Sequence, residues 1–282
     1  MPSGLRLEIA GIGFAFNGCR QSGSVQLDGC YRPFVSHGRL DARYRLRRAV
    51  ELAPSWEDCV FDSLQDWKVY QDSGKLIFRV NPSPAEVETV GVLEADFSAG
   101  DIYLGDSAQS RQLPITLMRL LTIGLLSQRR GVMMHASGIM ADGTGILFSG
   151  TDGVGKSTTA RLWERYTDGK AIGDDQIVVR QTQGRFWMYS TPWHGMDCTI
   201  GSVPVERIFI IRQGKENQIK PLSPGQAVAQ LLKRSFPPLW SAEGMAFTLD
   251  FLGQLCASVP VYDFAFVPDQ SAVEAIQCMD DA

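Results

Sequence analysis

A glycine-rich loop in the middle of the chain constrains the fold more than any other feature. Residues 150–157 read Gly-Thr-Asp-Gly-Val-Gly-Lys-Ser and fit the pattern GxxxxGK(S/T). An apolar stretch typical of a buried strand, Ile146–Ser149, precedes the loop, and a helix-forming stretch, Thr158–Tyr166, follows it. In such a unit the loop N–H groups and the helix N-terminus bind phosphate oxygens. The sequence therefore predicts an α/β unit that binds a nucleotide.

The residues of this loop have different expected roles. The glycines let consecutive N–H groups turn towards phosphate. Lys156 is expected to reach the β- and γ-phosphates, and the Ser157 hydroxyl to ligate Mg²⁺. ATP and Mg²⁺ are therefore the expected cofactors. The predicted nucleotide-binding residues are Gly150, Thr151, Asp152, Gly153, Val154, Gly155, Lys156, Ser157 and Thr158.

The spacing of apolar and turn residues changes near Pro114. Residues 1–110 contain short apolar stretches, such as Leu5–Ile9 and Leu76–Val80, separated by turn residues, which predicts antiparallel strands. Leucines at helical spacing follow Pro114, and strands then alternate with helices, the pattern of an α/β core with helices covering the sheet. We therefore predict a β-rich N-terminal domain, residues 1–112, and an α/β domain, residues 113–282.

Charge and composition exclude several classes of protein. The 282 residues are 44% hydrophobic and 21% charged, as in globular proteins, and carry a net charge of −4, which disfavours nucleic acid as a partner. The chain has no run of 18 apolar residues, and the six cysteines are scattered. We therefore expect a cytoplasmic protein with no membrane partner. Five arginines between Arg39 and Arg48 predict either a solvated face or a docking patch for an acidic peptide or a phosphate.

An acid pair, Asp174-Asp175, lies 18 and 19 residues beyond Lys156. One acid could hold Mg²⁺ through water, and the other could orient or deprotonate an attacking hydroxyl. A solvated Asp-Asp turn is the alternative. Two of the three histidines, His135 and His194, fall in the same half of the chain, and each could be structural or functional.

Together these motifs resemble a known family. His135-Ala136-Ser137-Gly138, the loop and Gly173-Asp174-Asp175, in this order and spacing, resemble the catalytic core of HPr kinase/phosphorylase, in the phosphoenolpyruvate-carboxykinase-like P-loop group. Residues 191–195 and 259–264 resemble the HPr-kinase-like proteins encoded with lasso-peptide or related biosynthetic genes. The resemblance covers about residues 113–268. It implies a P-loop core behind the β-rich N-terminal domain, and a homo-oligomer.

The resemblance also implies roles for single residues. His135 corresponds to the histidine near the transferring phosphate, Asp174 to the base, and Asp175, with Ser157, to the metal ligands. The predicted catalytic residues are therefore Asp174, His135 and Lys156. At three points the chain departs from the family: Thr151-Asp152 replaces the usual Asp-Ser, Trp193-His194-Gly195-Met196 replaces the Arg-Gly-rich signature, and the downstream catalytic arginine could be any of three residues. These are Arg207, Arg212 and Arg234.

A turn that contains Trp193 and His194 is the predicted acceptor site. On this hypothesis the turn borders the γ-phosphate and holds the acceptor; alternatively, Trp193 fills a gap between the loop and the core. The predicted function is an ATP- and Mg²⁺-dependent kinase that phosphorylates a hydroxyl, a serine of a peptide or protein. The alternatives are a nucleotide-dependent binding or regulatory protein without transferase activity, and a small-molecule kinase.

Overall fold

The structure, a computed structural model, describes residues 4–18, 28–48, 56–80, 89–105, 113–193 and 198–279. The described chain forms two compact units. The first contains the residues up to Gln128 together with Pro238–Ala242, and the second contains Arg129–Pro237 and the residues from Glu243 onward. The predicted boundary, between residues 112 and 113, lies before a helix that the contacts group with the first unit instead.

The first unit is built on an eight-stranded sheet in the order β1-β2-β3-β8-β7-β6-β5-β4. The strands predicted over Leu5–Ile9 and Leu76–Val80 are confirmed. The expectation that all strands are antiparallel is wrong, because β3 pairs in parallel with both β2 and β8. The elements are β1 (Leu5–Ile9), β2 (Ile12–Gly18), a 3-10 helix (Gly29–Phe34), β3 (Ala42–Arg48), β4 (Cys59–Asp62), β5 (Trp67–Asp72), β6 (Lys75–Val80), β7 (Thr89–Glu94), β8 (Ala99–Leu104) and α1 (Ile115–Ser127).

An aromatic cluster forms part of the core of this unit. The ring of Phe97 lies against Gly124 of α1, where any side chain would collide with it. Trp240, from the segment Pro238–Ala242, packs edge-on against Trp67 and Phe78, with ring centroids 5.7 and 5.0 Å apart. A residue distant in sequence therefore completes this core.

The predicted arginine cluster lies largely on β3. Its side chains alternate with buried residues, so that Arg43 and Arg45 are exposed and Arg47 is half-buried. Asp101 on the neighbouring strand binds two of them, at 2.8 Å from Arg45 and 2.6 Å from Arg47. These pairs fit the interpretation as a solvated face, and the docking function stays a prediction.

The second unit is built on a seven-stranded sheet in the order β10-β9-β11-β12-β13-β15-β14. β13 also pairs in parallel with β10, so that β10, β9, β11, β12 and β13 form a continuous ring of pairings. The elements are β9 (Val132–Ala141), β10 (Thr144–Ser149), α2 (Lys156–Tyr166), β11 (Lys170–Thr182), β12 (Arg185–Tyr189), β13 (Ser202–Gln213), β14 (Gln218–Pro221), α3 (Pro224–Leu232), α4 (Ala242–Ser258), β15 (Val261–Phe266) and α5 (Gln270–Gln277).

Both faces of this sheet are buried. Neighbouring residues of β10 and β13 point to opposite sides: Leu147 and Ile208 pack in one apolar cluster, and Phe148 and Phe209 in the other. The first cluster includes residues of α3 and α4, and the second includes residues of α2 and α5. The predicted alternation of strands and helices around a covered sheet is thus confirmed, although it did not predict α4.

No helix in the described part of the chain combines the length and the apolar character needed to cross a membrane.

Candidate functional site

The glycine-rich loop, residues 150–157, connects the end of β10 to the start of α2. Gly153 and Gly155 have φ values of 72° and 116°, which side chains other than glycine rarely adopt. A Cβ at Gly155 would also lie 2.7 Å from the ring of Phe266. The strand–loop–helix geometry expected from the sequence is therefore present.

The lysine of the loop points back to the loop itself. The Lys156 side chain is buried, and its Nζ donates to the carbonyls of Gly150, at 3.1 Å, and Thr151, at 3.0 Å. Burial lowers the pKa of Lys156, while the nearby carboxylate of Asp152, 4.0 Å from Nζ, opposes this shift. These two hydrogen bonds hold the ammonium group next to the first residues of the loop. Val154 is half-buried, and Thr158, in the first turn of α2, is exposed.

Strand register brings the sequence-predicted residues together. β9 lies between β10 and β11, so that Ser149, Ala136 and Asp175 form one row across the sheet. His135 lies in the adjoining row, opposite Gln176. The start of the loop, the acid pair and the histidine are therefore neighbours at one end of the sheet.

The first acid of the pair contacts the serine of the loop. Ser157 Oγ donates to Asp174 Oδ1 at 2.8 Å, and the Asp174 side chain is buried. The resemblance instead grouped Ser157 with Asp175. Two hard oxygen donors, a hydroxyl and a carboxylate, thus lie side by side at the N-terminus of α2.

The second acid has a strained backbone. Strict alternation along β11 would place the Asp175 side chain on the face of Ala136 and Ile177, which belong to the apolar core. Asp175 has a φ of 113°, its side chain is 43% exposed, and its Oδ1 lies 3.1 Å from His135 Nδ1. Such a φ is costly for a residue with a Cβ, and strain of this kind is typical of functional sites.

His135 lies between two carboxylates. Its Nδ1 contacts Asp175, and its Nε2 lies 2.8 Å from Asp152 Oδ1, as an ion-pair contact without hydrogen-bond geometry. The hydrogen bond to Asp175 raises the pKa of His135 above its usual value, although burial and the charge of Lys156 oppose the shift. The ring also meets Phe236 edge-on, at 6.2 Å between centroids.

One of the three arginines left open by the sequence lies at this site. The Arg234 carbonyl accepts from His135 N at 2.6 Å, and the charge of Arg234 lowers the pKa of Lys156. Arg234 Nη1 donates to the backbone carbonyl and the side-chain Oε1 of Gln230. Arg234 Nε is buried without a hydrogen-bond partner among the described residues. Arg212 is paired with Asp263 at 3.1 Å. Arg207 lies opposite Ile146, away from the loop end of β10.

Gln176 is a site residue that no sequence motif singles out. This buried residue donates from Nε2 to Asp175 Oδ2 at 3.2 Å, and its Oε1 is buried without a partner among the described residues. Because a carboxylate only accepts, Asp175 fixes the orientation of the amide. Ser137 is likewise new, since it donates to the Lys156 carbonyl at 3.1 Å. Both contacts depend on the folded geometry around β11 and the start of α2.

Thr191, the first residue of the predicted acceptor turn, contacts the strand that carries the acid pair. Thr191 Oγ1 donates to the carbonyl of Gln176 at 2.7 Å. The Trp193 side chain is only 3% exposed, which favours the interpretation that it packs against the core. His194 lies outside the described residues, and its role stays a prediction.

The described residues include no cluster of three or more His, Cys, Asp or Glu side chains that could hold a metal ion. Mg²⁺ at phosphate sites is usually held by one or two protein oxygens together with substrate phosphates and water. The Ser157–Asp174 pair fits that requirement.

These features define an α/β protein whose candidate site combines a glycine-rich loop, an acid pair and a histidine. The chain belongs to the ScmC family, whose model is described as SynChlorMet cassette protein ScmC and matches residues 106–248. That description names a SynChlorMet cassette, and a link to lasso-peptide genes stays a prediction.

Among solved structures, the chain is similar to the structure of the Hpr(Ser) kinase/phosphatase from Coxiella burnetii. The two share 12% sequence identity with a TM-score of 0.33, over 53% of this chain and 99% of that one. None of the curated proteins matches the sequence.

Proposed function

We propose that the chain is an ATP- and Mg²⁺-dependent P-loop kinase that transfers the γ-phosphoryl group to a hydroxyl, with a serine of a peptide or protein as acceptor. The observation that carries the proposal is the division of the acid pair: Asp174 contacts Ser157, and Asp175 contacts His135. A protein that only binds a nucleotide needs the first contact. The second, held at a strained φ, supports a separate chemical task.

Phosphate binding is assigned to the loop and Lys156. The loop N–H groups and the positive end of the α2 dipole favour an anion, and the Lys156 ammonium adds a full charge. Because the lysine is already held by the loop carbonyls of Gly150 and Thr151, it needs little further ordering when the phosphates bind.

Metal binding is assigned to Ser157 and Asp174. This assignment reverses the one that the resemblance implies, and its support is the 2.8 Å hydrogen bond between the two side chains. When bound, Mg²⁺ neutralises charge on the β- and γ-phosphates. The Ser157 hydroxyl and the Asp174 carboxylate are oxygen ligands of the kind that this ion prefers.

Asp175 is the proposed base. Its carboxylate accepts the proton of the acceptor hydroxyl while that oxygen forms a bond to the γ-phosphorus, and the bond from the γ-phosphorus to the bridging oxygen of ADP breaks. His135 and Gln176 both contact Asp175, so they orient its carboxylate. ADP and the phosphorylated acceptor are the products.

Arg234 is the proposed arginine of the site. Its buried Nε has no hydrogen-bond partner among the described residues, and leaving such a group unpaired is costly. A phosphate oxygen is a suitable acceptor, and a guanidinium near the γ-phosphate would stabilise charge in the transition state. The assignment selects one of the three arginines that the sequence left open.

The acceptor, the cytoplasmic location and a homo-oligomeric state remain part of this proposal. For the acceptor, the support is the hydrogen bond from Thr191 to the carbonyl of Gln176, the residue that follows the proposed base in the chain. Trp193 is then a packing residue that supports the turn.

Intact-mass spectrometry tests the proposal directly. The protein is incubated with ATP, Mg²⁺ and a library of serine-containing peptides, with matched peptides in which alanine replaces serine. We expect some serine peptides to gain one phosphoryl group and the alanine peptides to gain none. Asp142→Asn, in the exposed turn between β9 and β10, is the control variant and should keep full activity. Tight ATP binding without transfer to peptides or small alcohols would instead support the nucleotide-dependent binding protein.

A further inference from the structure

One side chain of the glycine-rich loop is an acid, although the loop is expected to bind an anion. Asp152 carries a side chain that is 95% exposed at the tip of the loop. Its Oδ1 lies 2.8 Å from His135 Nε2 and 4.0 Å from Lys156 Nζ. A single carboxylate oxygen therefore lies close to both the imidazole and the ammonium group that flank the loop.

The imidazole of His135 and the ammonium group of Lys156 are the groups that a terminal phosphate would meet. Lys156 belongs to the loop that surrounds the phosphates. His135 lies on the side of Asp175, which is the side of transfer in the proposed mechanism. The position between them suits the γ-phosphate, because that group is the one next to the acceptor.

We propose that Asp152 is a specificity-determining residue, whose carboxylate holds the place of the γ-phosphate in the free protein and weakens the binding of ATP relative to ADP. This inference rests on the proposed function. Binding of ATP must separate Asp152 from His135, and the carboxylate then stays near a group of like charge. ADP lacks that group, so it can bind while Asp152 remains on His135.

Electrostatics limits the size of the effect. An exposed ion pair contributes at most about 1 kcal/mol, or roughly a fivefold change in affinity, and salt screens it. Asp152 is exposed, so the effect of its charge belongs in this range. The change should decrease as the ionic strength rises.

Titration calorimetry of the Asp152→Asn variant with Mg²⁺·ATP and Mg²⁺·ADP tests the inference. Asparagine keeps the shape of the side chain and removes its charge. We expect the Kd for ATP to fall by about fivefold and that for ADP to change by less than about twofold. Asp142→Asn makes the same chemical change on an exposed turn of the same unit and should change neither Kd.

Three results would overturn the inference. Weaker ATP binding by Asp152→Asn would mean that the carboxylate assists binding. Equal increases in affinity for ATP and ADP would mean that the Asp152 carboxylate acts on the whole nucleotide. An unchanged affinity for ATP would mean that the carboxylate does not compete with the γ-phosphate. If the folded wild type and variant both fail to bind either nucleotide, the proposed function itself is wrong.

Discussion

The two sheets of this protein differ in where residues with strained backbone and residues with charged side chains lie. In the first unit, residues other than glycine with positive φ lie between strands, as Ser73 and Phe97 do, and Asp101 pairs with Arg45 and Arg47 on the sheet surface. In the second unit, Asp175 adopts a positive φ inside a strand and lies among ionisable groups. Strain in a turn follows from chain reversal, whereas strain within a strand requires another reason. The comparison therefore assigns the candidate functional site to the second unit.

Replacing one carboxylate in each sheet should produce the largest difference in activity between the two units. Asp175→Asn should lower phosphoryl transfer by about 10²–10⁴, the usual contribution of a general base, and leave nucleotide binding nearly unchanged. Asp101→Asn, which removes a carboxylate bound by two arginines, should leave transfer unchanged. The initial rate at which phosphorylated peptide forms measures phosphoryl transfer by both variants.

The same assay distinguishes the proposed roles of Asp174 and Asp175. Asp174→Asn should raise the Mg²⁺ concentration needed for half-maximal rate, because Asp174 shares the metal with Ser157 in the proposed site. If Asp174→Asn abolishes transfer at saturating Mg²⁺ and Asp175→Asn shifts the Mg²⁺ requirement, the roles follow the family resemblance instead. Full activity in both variants would contradict the kinase mechanism.

Replacing one lysine in each unit should give the next largest difference in turnover. Lys156→Ala should lower turnover by about 10²–10³, because it removes the charge that faces the phosphates. Lys68→Ala breaks only a surface pair with Asp62 and should leave turnover unchanged. Circular dichroism establishes that both variants fold. Normal turnover in a folded Lys156→Ala variant would contradict the assignment of the loop.

Strain at Asp175 should be measurable as stability. Asp175→Gly should have a free energy of unfolding about 1 kcal/mol higher than Asp175→Ala, because both lack the carboxylate and only alanine retains a Cβ at a φ of 113°. The same pair of changes at Ser73, where φ is 49°, measures the effect in an ordinary turn. Urea denaturation gives both values. A smaller difference at Asp175 than at Ser73 would mean that the strand carries no unusual strain.

The smallest effect concerns pH. Because the pKa of His135 is raised in the folded state, protonation of His135 stabilises the fold. This stabilisation is fully present below the usual histidine pKa of 6.5 and is lost as pH rises through the raised value. The difference in Tm between wild type and His135→Gln should therefore be largest in acid and decrease towards alkaline pH. The opposite trend would contradict the Asp175–His135 contact.

The sequence predicted the local parts of the site. The loop follows a strand and begins a helix, and residues close in sequence carry all of that information. The acid pair was also found, because its distance from Lys156 is short.

The partners of these residues could not be predicted, since they depend on register between distant strands. Which acid meets Ser157 is decided by the pairing of β9 with β11 and by the φ of Asp175. No composition or spacing signals a positive φ at an aspartate within a strand. The choice of Arg234 likewise depends on its contact with β9.

The position of Trp240 has a consequence for protein engineering. This indole belongs to the aromatic cluster of the first unit, yet it lies more than a hundred residues beyond α1 in the sequence. A fragment that ends at Gln128 would lack the indole and expose more of the rings of Trp67 and Phe78 to water, which is destabilising. The two units are therefore not interchangeable modules, and a chimaera that replaces only the N-terminal half must keep the Pro238–Ala242 segment matched to its new sheet.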